Sequence, residues 1–349
     1  MKIAIAGAGL VGRLLAFELL KSGYTEITLY DKNSHQSCAM TAAGLLSPFC
    51  ELEKTNELIK NVGQESLRLW PEIFSAMDAP VFFKKAGSLV TAHNKDNALL
   101  IRYLQRIRSR CLEIPFREVL PNTLESEINS ENSWYYFKEE AHMDCQQLMT
   151  VLGRFLQHKI IWHEQQEVFS VRPHEIKLTQ EVKHYDVIFD CRGMGASATF
   201  STLRSVRGEL LWLHAPLVNL TRPIRLIHPR YPIYIVPRPH HMYLIGASEI
   251  EAFDYSAISV RTTLELLSAA YSLHKGFIDA RVIYTATNCR PTLPDNLPKI
   301  RYTDGLIAVN GLYRHGYLLA PSLVQDIVRY LKDGMKNVFY SECWENMND

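Results

Sequence analysis

Met1-Lys2-Ile3-Ala4-Ile5-Ala6-Gly7-Ala8-Gly9-Leu10-Val11-Gly12 opens the chain, and Asp31 follows 19 residues after the last of these glycines. The stretch reads as a short apolar strand, a Gly-x-Gly-x-x-Gly turn and a helix. A second strand, Glu26-Ile27-Thr28-Leu29-Tyr30, then ends on the acid. Each glycine has a physical task in a dinucleotide-binding βαβ unit. Gly7 permits the tight turn, Gly9 lets backbone approach a pyrophosphate, and Gly12 lets helix pack closely on strand. The N–H groups of Leu10 and Val11 at the helix start offer partial positive charge to phosphates. Asp31 can accept hydrogen bonds from ribose hydroxyls, with Lys32 beside it. The competing reading is a glycine-rich structural turn.

Lys2 ahead of an apolar run superficially resembles a secretory signal, but three glycines in six residues fit a buried strand and a helix start better. Met1 is therefore expected to be a true domain start. No segment offers the roughly 20 uninterrupted apolar residues of a membrane span, so a soluble protein is expected. The 349 residues suggest two or so domains with a large core. A net charge of +1 gives no electrostatic case for nucleic acid or an anionic membrane as partner. Seven scattered cysteines without a Cys-x-x-Cys pair argue against disulfides or zinc and fit a reducing cytoplasm. No histidine spacing supports a metal, so none is expected.

Further along, Thr41-Ala42-Ala43-Gly44-Leu45 forms a small-residue loop suited to a planar ligand. Apolar periodicity predicts an amphipathic helix over 57–76, a polar helix near 95–110, and a helix from Asp144 whose Asp144/Gln147 pair has capping-box logic. Tyr185–Asp190 reads as a buried strand broken by Cys191-Arg192-Gly193-Met194-Gly195. Residues 206–250 read as an antiparallel sheet. A helix near 259–273, a buried strand at Leu306–Val309 and a closing helix at 320–332 complete the pattern.

Arg290-Pro291-Thr292-Leu293-Pro294-Asp295-Asn296-Leu297-Pro298 is similar to the Arg-Pro-x-x-Pro-Asp-x-x-Pro motif of FAD-dependent amine oxidases of the D-amino acid oxidase family. Gly311-Leu312-Tyr313-Arg314-His315-Gly316-Tyr317-Leu318-Leu319-Ala320-Pro321 resembles the same family's C-terminal flavin motif. Ala42-Ala43-Gly44-Leu45, His142-Met143-Asp144, Val206-Arg207-Gly208-Glu209, Tyr234-Ile235-Val236-Pro237-Arg238 and Gly246-Ala247-Ser248-Glu249 match in family order. The likeness covers essentially the whole chain and is greatest to the glycine oxidases of thiamine biosynthesis. Two departures are Asn288-Cys289, where the family usually has Gly-Leu, and Asp190-Cys191-Arg192, where it has small residues.

The resemblance implies an α/β fold, with a Rossmann-like FAD-binding domain and an interleaved α+β substrate domain containing an antiparallel sheet. The expected FAD domain comprises 1–80, 142–205 and 285–349, and the substrate domain 81–141 and 206–284. FAD, rather than NAD, is the expected cofactor, held by the residues of the first turn, Asp31, Lys32, Thr41–Leu45, Gly193, Gly195, Arg290 and Tyr313–Leu318. The flavin supplies the redox chemistry, and the protein supplies orientation and electrostatics. Arg290 is implied as the substrate-carboxylate clamp, because a guanidinium gives two parallel charge-assisted bonds. Tyr234 and Arg314 are implied helpers. Against these stand a structural role for Arg290, a core role for Tyr234, and carbonyl or flavin bonding for Arg314. Cys289 is expected to be an unreactive thiol and the FAD non-covalent.

The implied reaction is oxidation of a small amino acid, glycine first, to an imine and then a 2-oxo acid and ammonia, with oxygen giving peroxide. Alternatives are D-amino acid or N-methyl amino acid oxidation, a dehydrogenase using another acceptor, and a non-enzymatic flavin-binding module. Relatives of this kind are commonly tetramers, so the resemblance is compatible with a homo-oligomer, although sequence alone does not give the oligomeric state.

Overall fold

The strand Ile3–Ala6 is buried at all four residues, as an apolar run at the centre of a parallel sheet must be. In the computed structural model, which describes residues 1–32 and 37–348, it is the fifth of seven strands. Their order is 344–346, 299–303, 306–310, 187–190, 3–6, 27–30 and 161–163. The five strands from 306–310 to 161–163 run parallel. Strand 299–303 returns antiparallel against 306–310.

Four helices, Leu10–Lys21, Glu57–Met77, Cys145–Gln157 and Gly316–Asp333, contribute Leu14, Trp70, Leu152 and Leu323 to one apolar core with this sheet. The last helix starts at Gly316, not at 320, so Pro321 lies inside it. A helical proline removes the donor that would bond the carbonyl four residues earlier. Here that carbonyl, on Tyr317, instead accepts a hydrogen bond from Trp70 Nε1 at 3.0 Å. The vacancy in the ladder is thus filled from the neighbouring helix. At the start of helix 145–157, Asp144 caps Gln147 N–H at 2.9 Å. The reciprocal half of the expected box is absent, because Gln147 Oε1 accepts from Phe82 N–H at 2.6 Å and ties in the preceding loop.

The second sheet has nine strands. Eight follow the order 250–251, 204–214, 242–246, 233–238, 224–227, 88–92, 134–137 and 116–119, and 281–292 pairs with 204–214. It is antiparallel as expected, except that 88–92 runs parallel to 224–227. Helix Val260–Leu273 packs on this sheet through Leu266, Ala269 and Ala270, and helix Asn97–Arg108 through Leu100, Tyr103 and Ile107. Strands 204–214 and 281–292 stay paired from Arg204–Thr292 to His214–Arg281. That ladder runs through both positions, 205/206 and 284/285, at which the sequence suggested domain boundaries. No helix among the described residues is long and apolar enough to cross a membrane.

Candidate active site

A cavity of about 1090 Å³ is lined from both sheets, slightly above the usual range of roughly 300–1,000 Å³ for small-molecule sites. Its first wall is backbone. Gly7 has φ of 100° and donates its N–H to Tyr30 O at 2.7 Å. A Cβ on Gly7 would lie 2.6 Å from Cys191 O. Gly12 does not line the cavity, and a Cβ on it would overlap Gly7 O. It serves the packing of helix on strand. Gly9 differs, because a Cβ there would meet only Ser37 Cβ, at 3.9 Å. Its open side belongs to the cavity, as do Leu10 and Val11. Helix 10–21 has no side-chain cap and no acid in its first turn, which leaves its N-terminal dipole uncompensated there. Asp31 Oδ1 accepts from Ala8 N–H at 3.3 Å, holding the turn against the second strand. Lys32 pairs with Glu167 at 3.1 Å, both exposed.

Along the middle lie Thr41, Ala42, Ala43, Gly44 and Leu45, with Gly193 and Gly195. Gly44 has φ of 70°, and a Cβ on it would overlap Met143 O. Buried Arg238 donates to Ala43 O at 2.6 Å, which braces this loop from behind. The helix 316–333 presents a second N-terminus without side-chain cap or first-turn acid. Tyr313, Arg314, His315, Gly316, Tyr317 and Leu318 line the cavity around it.

The remaining wall is built from charged side chains. Buried Glu51 accepts from Arg225 Nη2 at 3.0 Å and from Arg314 Nε and Nη2 at 2.7 and 2.6 Å. Arg314 also bonds Glu249, whose other oxygen takes Lys54 at 3.1 Å. Burial opposes ionisation of Glu51, but Arg314, Arg225 and His315 outweigh it and hold its carboxyl far below the ordinary range. Glu249 is likewise opposed by burial yet held low by Arg314, Lys54 and Arg290. His315 is pushed down to about 4, chiefly by burial, and is neutral at pH 7. Burial raises the Tyr234 hydroxyl despite Arg290, Arg314 and Arg225, which keeps it a protonated donor.

Four arginines line the cavity among the described residues: 192, 225, 290 and 314. Arg192 pairs with Asp190 at 2.8 Å, Arg225 with Glu51, and Arg314 with Glu51 and Glu249. Arg290 has no carboxylate partner among the described residues. It donates Nη1 to Ser248 O at 3.2 Å and lies against the backbone of Gly208, where a side chain would overlap it. Arg207, by contrast, is buried in bonds to Glu209 and to the carbonyls of Asp254, Ser256 and Ala257. Cys289 is buried, its Sγ 3.5 Å from Asp254 O.

Every residue the sequence assigned to the site, Gly12 apart, faces this one cavity. Glu51, Arg225 and Glu249 were not singled out. Glu249 closes a quoted motif, whereas Glu51, in Phe49-Cys50-Glu51-Leu52, shows only as an acid in apolar company. Among the described residues no group of three or more His, Cys, Asp or Glu is arranged to hold a metal ion.

Two uncapped helix N-termini, a Cβ-free approach at Gly9 and a long cavity between them define a dinucleotide site of the flavin-enzyme class. Residues 2–328 match the FAD dependent oxidoreductase family, and the chain belongs to it, with FAD as cofactor. The chain is 33% identical over 341 residues to a Rhizobium etli protein named as a thiamine biosynthesis oxidoreductase, ThiO, spanning 95% of this chain and 96% of that one. It is 23% identical to a glycine oxidase of Geobacillus kaustophilus, over 93% and 92% of the two chains. The solved glycine oxidase of that organism superposes with a TM-score of 0.87 at 20% identity, covering 98% and 97%. An iminodiacetate oxidase of Chelativorans gives 0.82 at 19% identity, covering 99% of each chain.

Proposed function

We propose that the protein oxidatively deaminates a small amino acid, glycine being the first candidate, to a 2-oxo acid and ammonia, with oxygen reduced to peroxide. The observation that carries this reading is Arg290, a cavity guanidinium without an acid partner among the described residues, where the other three described cavity arginines each have one. A half-buried guanidinium facing a cavity without a counterion is open to an anionic ligand, and a substrate carboxylate fits it bidentately. FAD, when bound, would supply the two-electron oxidation chemistry.

The remaining roles belong to the chain. Gly7, Gly9, Leu10 and Val11 take the pyrophosphate on backbone N–H groups, and Asp31 takes ribose hydroxyls. The 42–45 loop, Gly193 and Gly195 give a flat wall. The N-terminus of helix 316–333 would stabilise negative charge on the reduced group. Tyr234 donates its hydroxyl beside Arg290. Arg314, whose guanidinium holds Glu51 and Glu249, is proposed to position those acids. Cys289 faces carbonyls, and the FAD is proposed to be non-covalent.

The relatives named for glycine oxidation and thiamine biosynthesis support a role in supplying that pathway. The seven free cysteines support a reducing cytoplasm. The decisive experiment is anaerobic bleaching of the purified yellow protein by glycine, sarcosine and small D-amino acids, followed by a peroxide assay in air. Bleaching and peroxide with at least one of these are expected. A flavin that none of them reduces would overturn the reading.

A further inference from the structure

Arg290 accounts for one of the two charges an amino acid carries. The other, the ammonium, needs an acceptor at the same end of the cavity. Four acidic side chains line the cavity among the described residues: Asp31, Glu51, Glu167 and Glu249; Glu167 pairs with Lys32 at the nucleotide end. Asp31 belongs to the nucleotide end. Glu51 is buried and receives two arginines on its two oxygens, with His315 Nδ1 at 3.5 Å as well. Glu249 is different in kind. It follows directly on Ser248, whose carbonyl receives Arg290 Nη1 at 3.2 Å, so its backbone is tied to the clamp. Its side chain is 20% exposed and one of its two partners is Lys54, itself 40% exposed. A carboxylate pair whose lysine is largely in solvent is held weakly and yields readily to a better-placed cation.

We propose that Glu249 is the residue that receives the substrate's ammonium group, so that Arg290 and Glu249 together recognise both charges on one carbon. The proposal rests on the amino-acid reading above and sharpens it. The site selects an amine and a carboxylate on the same carbon, rejecting plain carboxylic acids and 2-hydroxy acids as substrates. Arg314, bonded to both Glu51 and Glu249, fixes the orientation of Glu249 on its inner side. Lys54 holds the outer oxygen and is the contact displaced.

The arrangement also constrains the chemistry. An amine must be neutral before its Cα–H can leave as hydride, and a carboxylate beside it favours the protonated form. Glu249 thus gives affinity at the expense of turnover at low pH. The groups facing Glu249 are Arg314, Lys54 and Arg290, with Tyr234, Tyr313 and His315 in its field. The two tyrosines are raised by burial and His315 is neutral, so none of these three changes charge between pH 6 and 9 ahead of the bound amine.

The test compares glycine with acetate, which is glycine without its amine, on the FAD-loaded enzyme. Glu249→Gln is expected to raise KM for glycine about 10- to 100-fold, the worth of one charge-assisted hydrogen bond. Acetate inhibition, which uses Arg290 alone, should stay within about twofold. The acid limb of the kcat profile, which reports groups in the bound complex, should move to lower pH. Lys54→Met should leave KM for glycine unchanged or lower. Equal losses for glycine and acetate would make Glu249 a structural support of the clamp and overturn the proposal, as would an unchanged KM or an unmoved acid limb. If Glu249→Gln loses FAD, Glu249→Asp provides the check: it retains the charge and should keep flavin and part of the glycine affinity. Loss of flavin in both would also overturn the assignment. Failure of the parent reading looks different, since the unmodified protein would then oxidise none of the amino acids offered.

Discussion

The two ends of the cavity are built by opposite means. At the Gly7–Gly12 end the wall is main chain, where side chains are absent by necessity, and the ion pairs beside it, exposed Lys32–Glu167 and Arg192–Asp190, are each separate pairs. At the Arg290 end the wall is side chains, and Glu51, Glu249, Arg225, Arg314 and Lys54 form one connected set of ion pairs. Backbone recognition depends on local geometry. An ion-pair network depends on partners brought together from residues 51, 54, 225, 249 and 314. The first end is therefore robust to charge changes and intolerant of added volume, and the second is the reverse.

Arg290→Lys tests the side-chain end most severely. The charge survives but the bidentate fork is lost, and one or two charge-assisted bonds at ~1.5–3 kcal/mol each predict a fall of roughly 10- to 10⁴-fold in kcat/KM. FAD content should stay near normal. Steady-state kinetics with flavin quantitation decides it, and a variant equal to the parent, or one stripped of flavin, would sink the clamp. The same substitution at Arg207, held wholly by protein groups, should leave turnover nearly intact.

Glu51→Gln comes next. Removing one partner of a buried ion pair costs about 3–5 kcal/mol, here felt by both Arg225 and Arg314, and denaturant unfolding measures it. The pH dependence has a definite sign. The Glu51 carboxyl lies below its unfolded value near ~4.3, so its contribution is complete above that value and is lost as pH falls below it. His315, with its value lowered to about 4 from ~6.5 unfolded, adds a loss that runs between those two values as pH falls. The difference in stability between parent and variant should therefore shrink below about pH 4. A constant difference down to pH 3 would show that the carboxylate charge is not what matters.

At the backbone end, Gly9→Val should leave the fold intact, because nothing but Ser37 Cβ lies within 4 Å of the new carbon. Flavin binding should weaken by about 10- to 150-fold if one N–H-to-phosphate bond is lost, read by fluorescence titration of the apoprotein. Unchanged flavin affinity would remove Gly9 from the proposed pyrophosphate site. The smallest effect is expected from Lys32→Ala. An exposed pair contributes at most about 1 kcal/mol, so stability should barely change, and a loss beyond that would mean Lys32 holds more than Glu167.

The same division governs what could be read in advance. The backbone end was legible because its requirements are local. A turn at Gly7, an open approach at Gly9, close packing at Gly12 and an acid after the next strand fall within 31 residues. The fold class followed from that unit together with the family motifs. Errors arose where a distant partner overrode a local rule. Helix 316–333 runs through Pro321 because Trp70, about 250 residues away, takes the carbonyl that the proline leaves open. Gln147 leaves its capping box because Phe82 offers an N–H.

The sequence by itself determined the nucleotide turn, the family and the placement of Arg290 in a named motif, since each is written in contiguous residues or in motifs whose order along the chain is fixed. Only the tertiary structure decided which arginines are already neutralised. Charge pairing over a few ångströms depends on where Glu51 and Glu249 come to rest relative to Arg225, Arg314 and Arg290, and chain spacing carries no record of that. The fold compensates three of the four cavity arginines and leaves Arg290 without an acid partner among the described residues, which gives the site its electrostatic character.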